Sequence, residues 1–222
     1  MIPLRDTPKT RKFPYVNTLL IIFNIFVFVQ QLALTNEQLA NVVVRYGLIP
    51  LRFSQSIAAG EAAAALAPLV TYQFMHGGWL HIGSNMLYLW VFGDNIEDRV
   101  GHLRYLIFYL LMGLLAGLLQ VFLDAASPIP IIGASGAVAG ILGAYLVSCP
   151  RARVLAIIPI FILFTITEVP AILFLGFWFI LQLFSGFTSI GVNVSIAWWA
   201  HIGGFVAGMA LIRFFGERIK CE

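Results

Sequence analysis

The run from Leu103 to Leu123 constrains this chain more than any other feature, because a helix needs about 20 mainly apolar residues to cross a bilayer. Such a segment has no stable place on the outside of a water-soluble globule. Shorter apolar runs recur along the whole sequence. Of 222 residues, 60% are hydrophobic and 10% charged, against about 45–50% and about 25% in soluble domains. There is too little polar surface to cover a globule in water. The sequence predicts an all-α integral membrane protein with room for six spans in one domain, residues 1–222.

The first expected span covers Val16 to Val29, with a weak extension to Leu34. The second covers His81 to Phe92, the third Leu103 to Leu123, and the fourth Ser135 to Val147, after a break at Pro128 and Pro130. The fifth is assigned to Ala171 to Phe184, because proline is tolerated in a first helical turn and costly inside a helix. The apolar stretch before it, Val154 to Ile166, is interrupted by Pro159 and is expected as a short interfacial or re-entrant piece. The sixth span covers Ile196 to Phe215, and the alanine-rich Ala58 to Ala67 suggests a short helix in the first loop.

Lysine and arginine orient this arrangement. Arg5, Lys9, Arg11 and Lys12 precede the first span, Arg99 and Arg104 follow the second, Arg151 and Arg153 follow the fourth, and Arg213, Arg218 and Lys220 close the chain. Only Arg45 and Arg52 fall in an outer loop, so both termini are expected in the cytoplasm. A seven-span reading would throw the C-terminal cluster outside. No small-residue cleavage site follows the basic N-terminus promptly, so its apolar segment reads as a retained span rather than a signal peptide. Cys149 and Cys221 stand on the cytoplasmic side and are expected to stay reduced. A net charge of +3 without a basic stripe gives no nucleic-acid platform.

Polar groups inside a membrane are costly and usually face the bundle interior. Here they gather at one depth. Spans two, four and six enter from the outer face, and their opening turns carry His76, His81 and Asn85, then Ser135, then His201. Ser135 lies in Gly133-Ala134-Ser135-Gly136 at a helix start, where glycines permit close backbone approach and free amides suit a developing negative charge. The plainer reading is a small-residue packing face, since Gly140 and Gly143 follow.

His201 precedes Gly204 and Gly208, a spacing that lets a neighbouring helix come close. Against the fourth span, it would bring the imidazole within reach of Ser135 as a general base. An interhelical hydrogen bond to backbone is the bland alternative. With Asp94, Glu97 and Asp98 at the far end of the second span and Asp124 in a loop, a Ser-His dyad is expected rather than a triad. His81 and Asn85 share a helical face and could hold an oxyanion. His76 lies off that face in any continuous helix and reads as a lid or rim contact. Without an HExxH motif or a nearby acidic ligand, neither a metal nor a cofactor is expected.

Taken together, His76-Gly-Gly-Trp-Leu-His81-Ile-Gly-Ser-Asn85, Gly133-Ala-Ser135-Gly136 and Ala200-His201-Ile-Gly-Gly204-Phe-Val-Ala-Gly208 resemble the rhomboid family of intramembrane serine proteases. The resemblance implies a six-helix rhomboid-like bundle with Ser135 as nucleophile and His201 as general base. His81, Asn85 and the Ser135 amide would form the oxyanion hole, with His76 near it. Glu97 would tie helix ends together on the cytoplasmic side. Substrates would be single-pass membrane proteins, cut within or beside their spans after a small residue; the short tails and simple build suggest a prokaryotic cell membrane. The fifth span and the loop from Ser185 to Ser195 would serve as gate and cap. The oligomeric state is open, and a monomer is compatible with the pattern.

The sequence departs from the best-known bacterial pattern in three respects. The first loop lacks a Trp-Arg pair, although Arg45 and Arg52 offer equivalent anchoring. Ala139 stands where many members carry a tyrosine that stacks on the histidine, so His201 needs another ring, from Trp198, Trp199 or the fifth span. No soluble domain is expected before the first span. Two other functions use the same residues: a catalytically inactive rhomboid-like binding factor, which loss of Ser135 or His201 would favour, and a membrane lipid hydrolase. A transporter would show repeated halves or polar residues toward both faces, and neither is present.

Overall fold

The structure is a computed structural model and describes residues 1–160, 163–189 and 196–216. Helix α1 (Tyr15–Leu32) turns the amides of Asn17, Asn24 and Gln31 inward. Its buried residues are Asn17, Leu20, Asn24, Phe28 and Gln31, three or four apart and therefore on one face. Leu19, Ile22, Phe23, Phe26 and Val29 are exposed. Polar inside and apolar outside is the order that lipid imposes.

Three short helices fill the first loop. A capping box between Thr35 and Gln38 starts α2 (Asn36–Tyr46) by satisfying amides that the first turn leaves free. Proline opens α3 (Pro50–Ala58). The alanine-rich helix is α4 (Ala62–Thr71), a few residues later than expected. Arg52 Nη1 donates to the Val44 carbonyl at 2.5 Å, and Arg45 lies over the Tyr46 ring.

A 3-10 turn (Tyr72–Phe74) then leads to α5 (Trp79–Val100), α6 (His102–Leu123), α7 (Ser135–Ser148), α8 (Ala171–Thr188) and α9 (Trp198–Leu211). Helix α7 is buried along nearly its whole length and packs between α9, α6 and α5. Its glycines make this possible. A Cβ on Gly204 would strike the Gly136 carbonyl oxygen, one on Gly208 the Gly140 carbonyl oxygen, and one on Gly143 the Phe205 carbonyl oxygen. The α7 and α9 backbones are in direct contact, the small-residue packing of membrane helices.

The helical bundle is as expected, but the span count is not. Among the described residues, three helices, α1, α6 and α8, are long and apolar enough to cross a membrane by length and composition, where six were expected. The 14 residues of α7 and the 14 of α9 make only about 21 Å of helix each. Helix α5 has 22 residues but closes on Asp94, Glu97, Asp98 and Arg99.

The stretch expected as a short interfacial or re-entrant piece forms two strands of a three-stranded antiparallel sheet. Strands β1 (Ile2–Asp6), β2 (Arg153–Ile160) and β3 (Leu163–Pro170) lie in that order, with Ile2 opposite Ile157 and Val154 opposite Val169. The β-branched Val154, Ile157, Ile158, Thr165, Ile166, Thr167 and Val169 favour strand over helix here. The sheet is fastened to the bundle by Asp6, whose Oδ2 accepts from Tyr145 Oη at 2.5 Å and from Asn95 Nδ2 at 2.9 Å.

Glu97 fastens α1 at the same end. Only 1% exposed, its carboxylate accepts from Val16 N at 2.9 Å and Asn17 N at 2.7 Å, and it meets His102. Cys149, expected as a reduced thiol, is fully buried at the end of α7. Cys221 lies outside the described residues, as do Arg218, Lys220 and the last part of the suggested cap, 190–195.

Candidate active site

The loop ahead of α7 turns sharply at Gly133, whose φ of 133° is a conformation that side chains disfavour. Space forbids a side chain there as well. An added Cβ would lie 2.7 Å from His81 Nε2 and 3.5 Å from Ser135 Oγ. One glycine thus stands between the imidazole of α5 and the hydroxyl at the start of α7.

His201 lies in the first turn of α9, where the Ala200 amide donates to Gln120 Oε1 of α6 at 3.2 Å. The glycine contacts between α7 and α9 bring its Nε2 to 2.8 Å from Ser135 Oγ. Its other nitrogen, Nδ1, is 2.9 Å from Oε1 of Gln182 on α8. Two rings flank the imidazole: Trp178 of α8 at 6.3 Å and 36°, and Trp198 at 5.8 Å and 88°. Trp199 packs on Phe187 instead.

His81 and Asn85 face the same space. The Gly77 amide donates to His81 Nδ1 at 3.3 Å, which places the hydrogen of a neutral ring on Nε2, the nitrogen nearest Gly133. Asn85 Nδ2 has no hydrogen-bond partner among the described residues. Both side chains line a cavity of about 1010 Å³, together with Ser135, His201, Trp178 and Gln182. A hydroxyl beside a bare ring nitrogen, with N–H groups aimed at the same volume, is equipped for acyl transfer through an oxyanion.

His76 is not on the rim. It is 2% exposed and packs edge-on against His81 at 5.1 Å, while Gln31 of α1 holds its backbone at both N and O. The helix does not continue back through Gly77 and Gly78, since α5 begins at Trp79. Angular extrapolation from His81 therefore misplaced it.

Gln182 escaped the sequence reading altogether. Its signal was a lone amide in a fifth span otherwise made of apolar and small residues, and such a group seeks the bundle interior. Among the described residues, no group of three or more His, Cys, Asp or Glu is placed to hold a metal ion.

A family model described as the Rhomboid domain matches residues 63–218. Rhomboid protease GluP of Bacillus subtilis (strain 168) is 41% identical over 90 residues, 40% of this chain and 16% of that protein. RHOMBOID-like protein 5 of Arabidopsis thaliana is 36% identical over 78 residues, 35% of this chain and 25% of that protein. RHOMBOID-like protein 6, mitochondrial, from the same plant is 29% identical over 144 residues, 64% of this chain and 41% of that protein. The chain spans less than half the length of each of these curated relatives.

Proposed function

The chain belongs to the Rhomboid family, and on that premise we propose that it is an intramembrane serine endopeptidase acting on single-pass membrane proteins. The observation that carries this reading is the 2.8 Å contact between Ser135 Oγ and His201 Nε2 at the wall of a cavity large enough for several residues of unwound chain. Ser135 Oγ attacks the scissile carbonyl while Nε2 takes its proton. His81 Nε2–H, Asn85 Nδ2–H and the Ser135 amide hold the oxyanion. His201 returns the proton to the leaving amine, and water then hydrolyses the ester at Ser135 with the same base.

All six helices, α1 and α5 to α9, cross the membrane in this proposal, with both termini cytoplasmic and the cavity open to the outer side. The lysine and arginine distribution supports that orientation. The shortness of α7 and α9 supports a site set below the outer surface and reached by water. Substrate enters between α5 and α8, past Trp178 and Gln182, as the cavity lining suggests. Residues 1–222 act as one domain, a reading supported by the pairing of β1 with β2 and the hold of Glu97 on α1.

The test is cleavage of a tagged single-pass membrane protein by the purified protein in detergent or liposomes, with Ser135→Ala and His201→Ala alongside. A defined product that vanishes in both variants is expected. No product from folded wild type across several substrate helices would overturn the protease reading, and a product that survives Ser135→Ala would overturn the assigned nucleophile.

A further inference from the structure

We propose that Gln182 is the positioning residue of His201: its amide oxygen holds the imidazole in the one tautomer that leaves Nε2 bare to take the Ser135 proton. The proposal rests on the reading of Ser135 and His201 as the reacting pair. It begins with the amide itself. Gln182 Nε2 donates to the Trp178 carbonyl, one turn earlier on α8, at 3.3 Å. Turning the amide over would set its oxygen against that carbonyl, acceptor against acceptor. Oε1 therefore faces the imidazole.

An amide oxygen only accepts, so the 2.9 Å contact requires a hydrogen on His201 Nδ1. A neutral imidazole carries one N–H, and Nε2 is left with its lone pair toward Ser135 Oγ. The opposite tautomer would set acceptor against acceptor at Nδ1, and its Nε2–H would donate to Ser135 Oγ, leaving no base for the serine proton. With Gln182 only 8% exposed, little water is at hand to relieve the mismatch at Nδ1. Trp178 and Trp198 restrict the tilt of the ring, but an aromatic neighbour does not choose between its nitrogens. The amide does.

His81 shows the same device with the opposite sense. There a backbone donor, Gly77 N–H, occupies Nδ1 and sends the hydrogen to Nε2. Two histidines on one cavity are thus set by one hydrogen bond each, His81 as a donor and His201 as an acceptor. A neutral amide also suits the setting, because a buried carboxylate would bring a charge that needs compensation in the resting state. When His201 is protonated, its Nδ1–H keeps the same partner.

The test labels the four histidines of the full chain in detergent with 15N, assigns His201 by its loss in His201→Asn, and compares wild type with Gln182→Leu and Gln182→Glu. Wild type is expected to show a protonated Nδ1 and a bare Nε2. Gln182→Leu is expected to mix the tautomers and to lower kcat about 10- to 100-fold with KM within about twofold, the scale of one lost buried hydrogen bond. Gln182→Glu keeps an acceptor and is expected to restore the Nδ1–H signature and most of the lost kcat. If the leucine variant does not fold, Gln182→Met takes its place. A wild-type His201 protonated at Nε2, or a Gln182→Leu with unchanged 15N shifts, would overturn the proposal. Should wild type cleave nothing while the tautomer still depends on residue 182, the protease reading fails and the role of Gln182 stands.

Discussion

The Cα of Gly204 presses on the carbonyl oxygen of Gly136, so closely that an added methyl group would overlap the oxygen. Both partners are backbone, and no rotamer change can relieve the clash. Gly204→Ala must therefore push α9 away from α7, and His201 travels with α9. A displacement near 1 Å costs a reaction of this kind about 100-fold. Cleavage by Gly204→Ala is expected to fall by about that factor while Gly203→Ala, whose new methyl meets only the flexible Leu119 side chain, loses much less. Initial rates of the two variants on one substrate check this.

Asn85 carries a donor with no partner among the described residues, buried beside the cavity that holds Ser135. A donor kept for the transition state contributes to kcat rather than to substrate binding. Asn85→Ala is expected to lower kcat about 100- to 1000-fold with little change in KM or thermal stability. A variant that loses KM alone would assign Asn85 to substrate binding.

Removal of the Glu97 carboxylate leaves the Val16 and Asn17 amides without their acceptor. Hydrogen bonds from buried donors to a charged group are worth about 1.5–3 kcal/mol each, so Glu97→Ala is expected to cost on the order of 3 kcal/mol. The loss should appear as a lower unfolding temperature in detergent and as faster hydrogen exchange at the start of α1. Equal melting of wild type and variant would contradict the anchoring role.

Asp6 makes the attachment of the sheet depend on pH. Burial pushes its carboxyl from the ordinary 3.8 up to about 7, the Tyr145 hydrogen bond opposes this, and Asp94 adds to the rise. Between those two values the attached strand binds more protons than the released one, so attachment weakens as pH rises through that window. It is strongest below about 4 and reaches its floor above about 7. Protection of the β1 and β2 amides, corrected for intrinsic exchange, is expected to fall by at most about tenfold per pH unit in wild type. Asp6→Asn keeps an oxygen for Tyr145 and Asn95 and should give a flat profile.

What the sequence revealed and what it withheld follow from the range of the interactions concerned. The helices around Ser135, His81 and His201 could be read because each needs only its own run of residues, and the glycine spacing on α7 and α9 already implied close approach. The sheet could not be read. Ile2 pairs with Ile157, and nothing local to a short basic tail announces a partner so far along the chain. His76 was misplaced because Gly77 and Gly78 interrupt the helix on which its angle was reckoned. Gln182 is hard to read from sequence because a histidine partner is usually a carboxylate or a ring, whereas a buried amide meets the same need without a charge. The span count read every apolar run as a crossing, whereas α7 and α9 have 14 residues each and α5 ends in charged residues.

Strand β3 runs into α8 with no linker, and the Ala171 amide donates to the Ala152 carbonyl at 2.8 Å. That end of α8 is the anchored one, tied through β2 to β1 and through Asp6 to α5 and α7, and a tilt of the helix would turn about it. Gln182 rides the lever about 16 Å from the pivot, so a tilt of only about 10° carries it about 3 Å, the whole length of its bond to His201. A tilt of α8 by that much releases the imidazole, and the bond re-forms only when the helix returns.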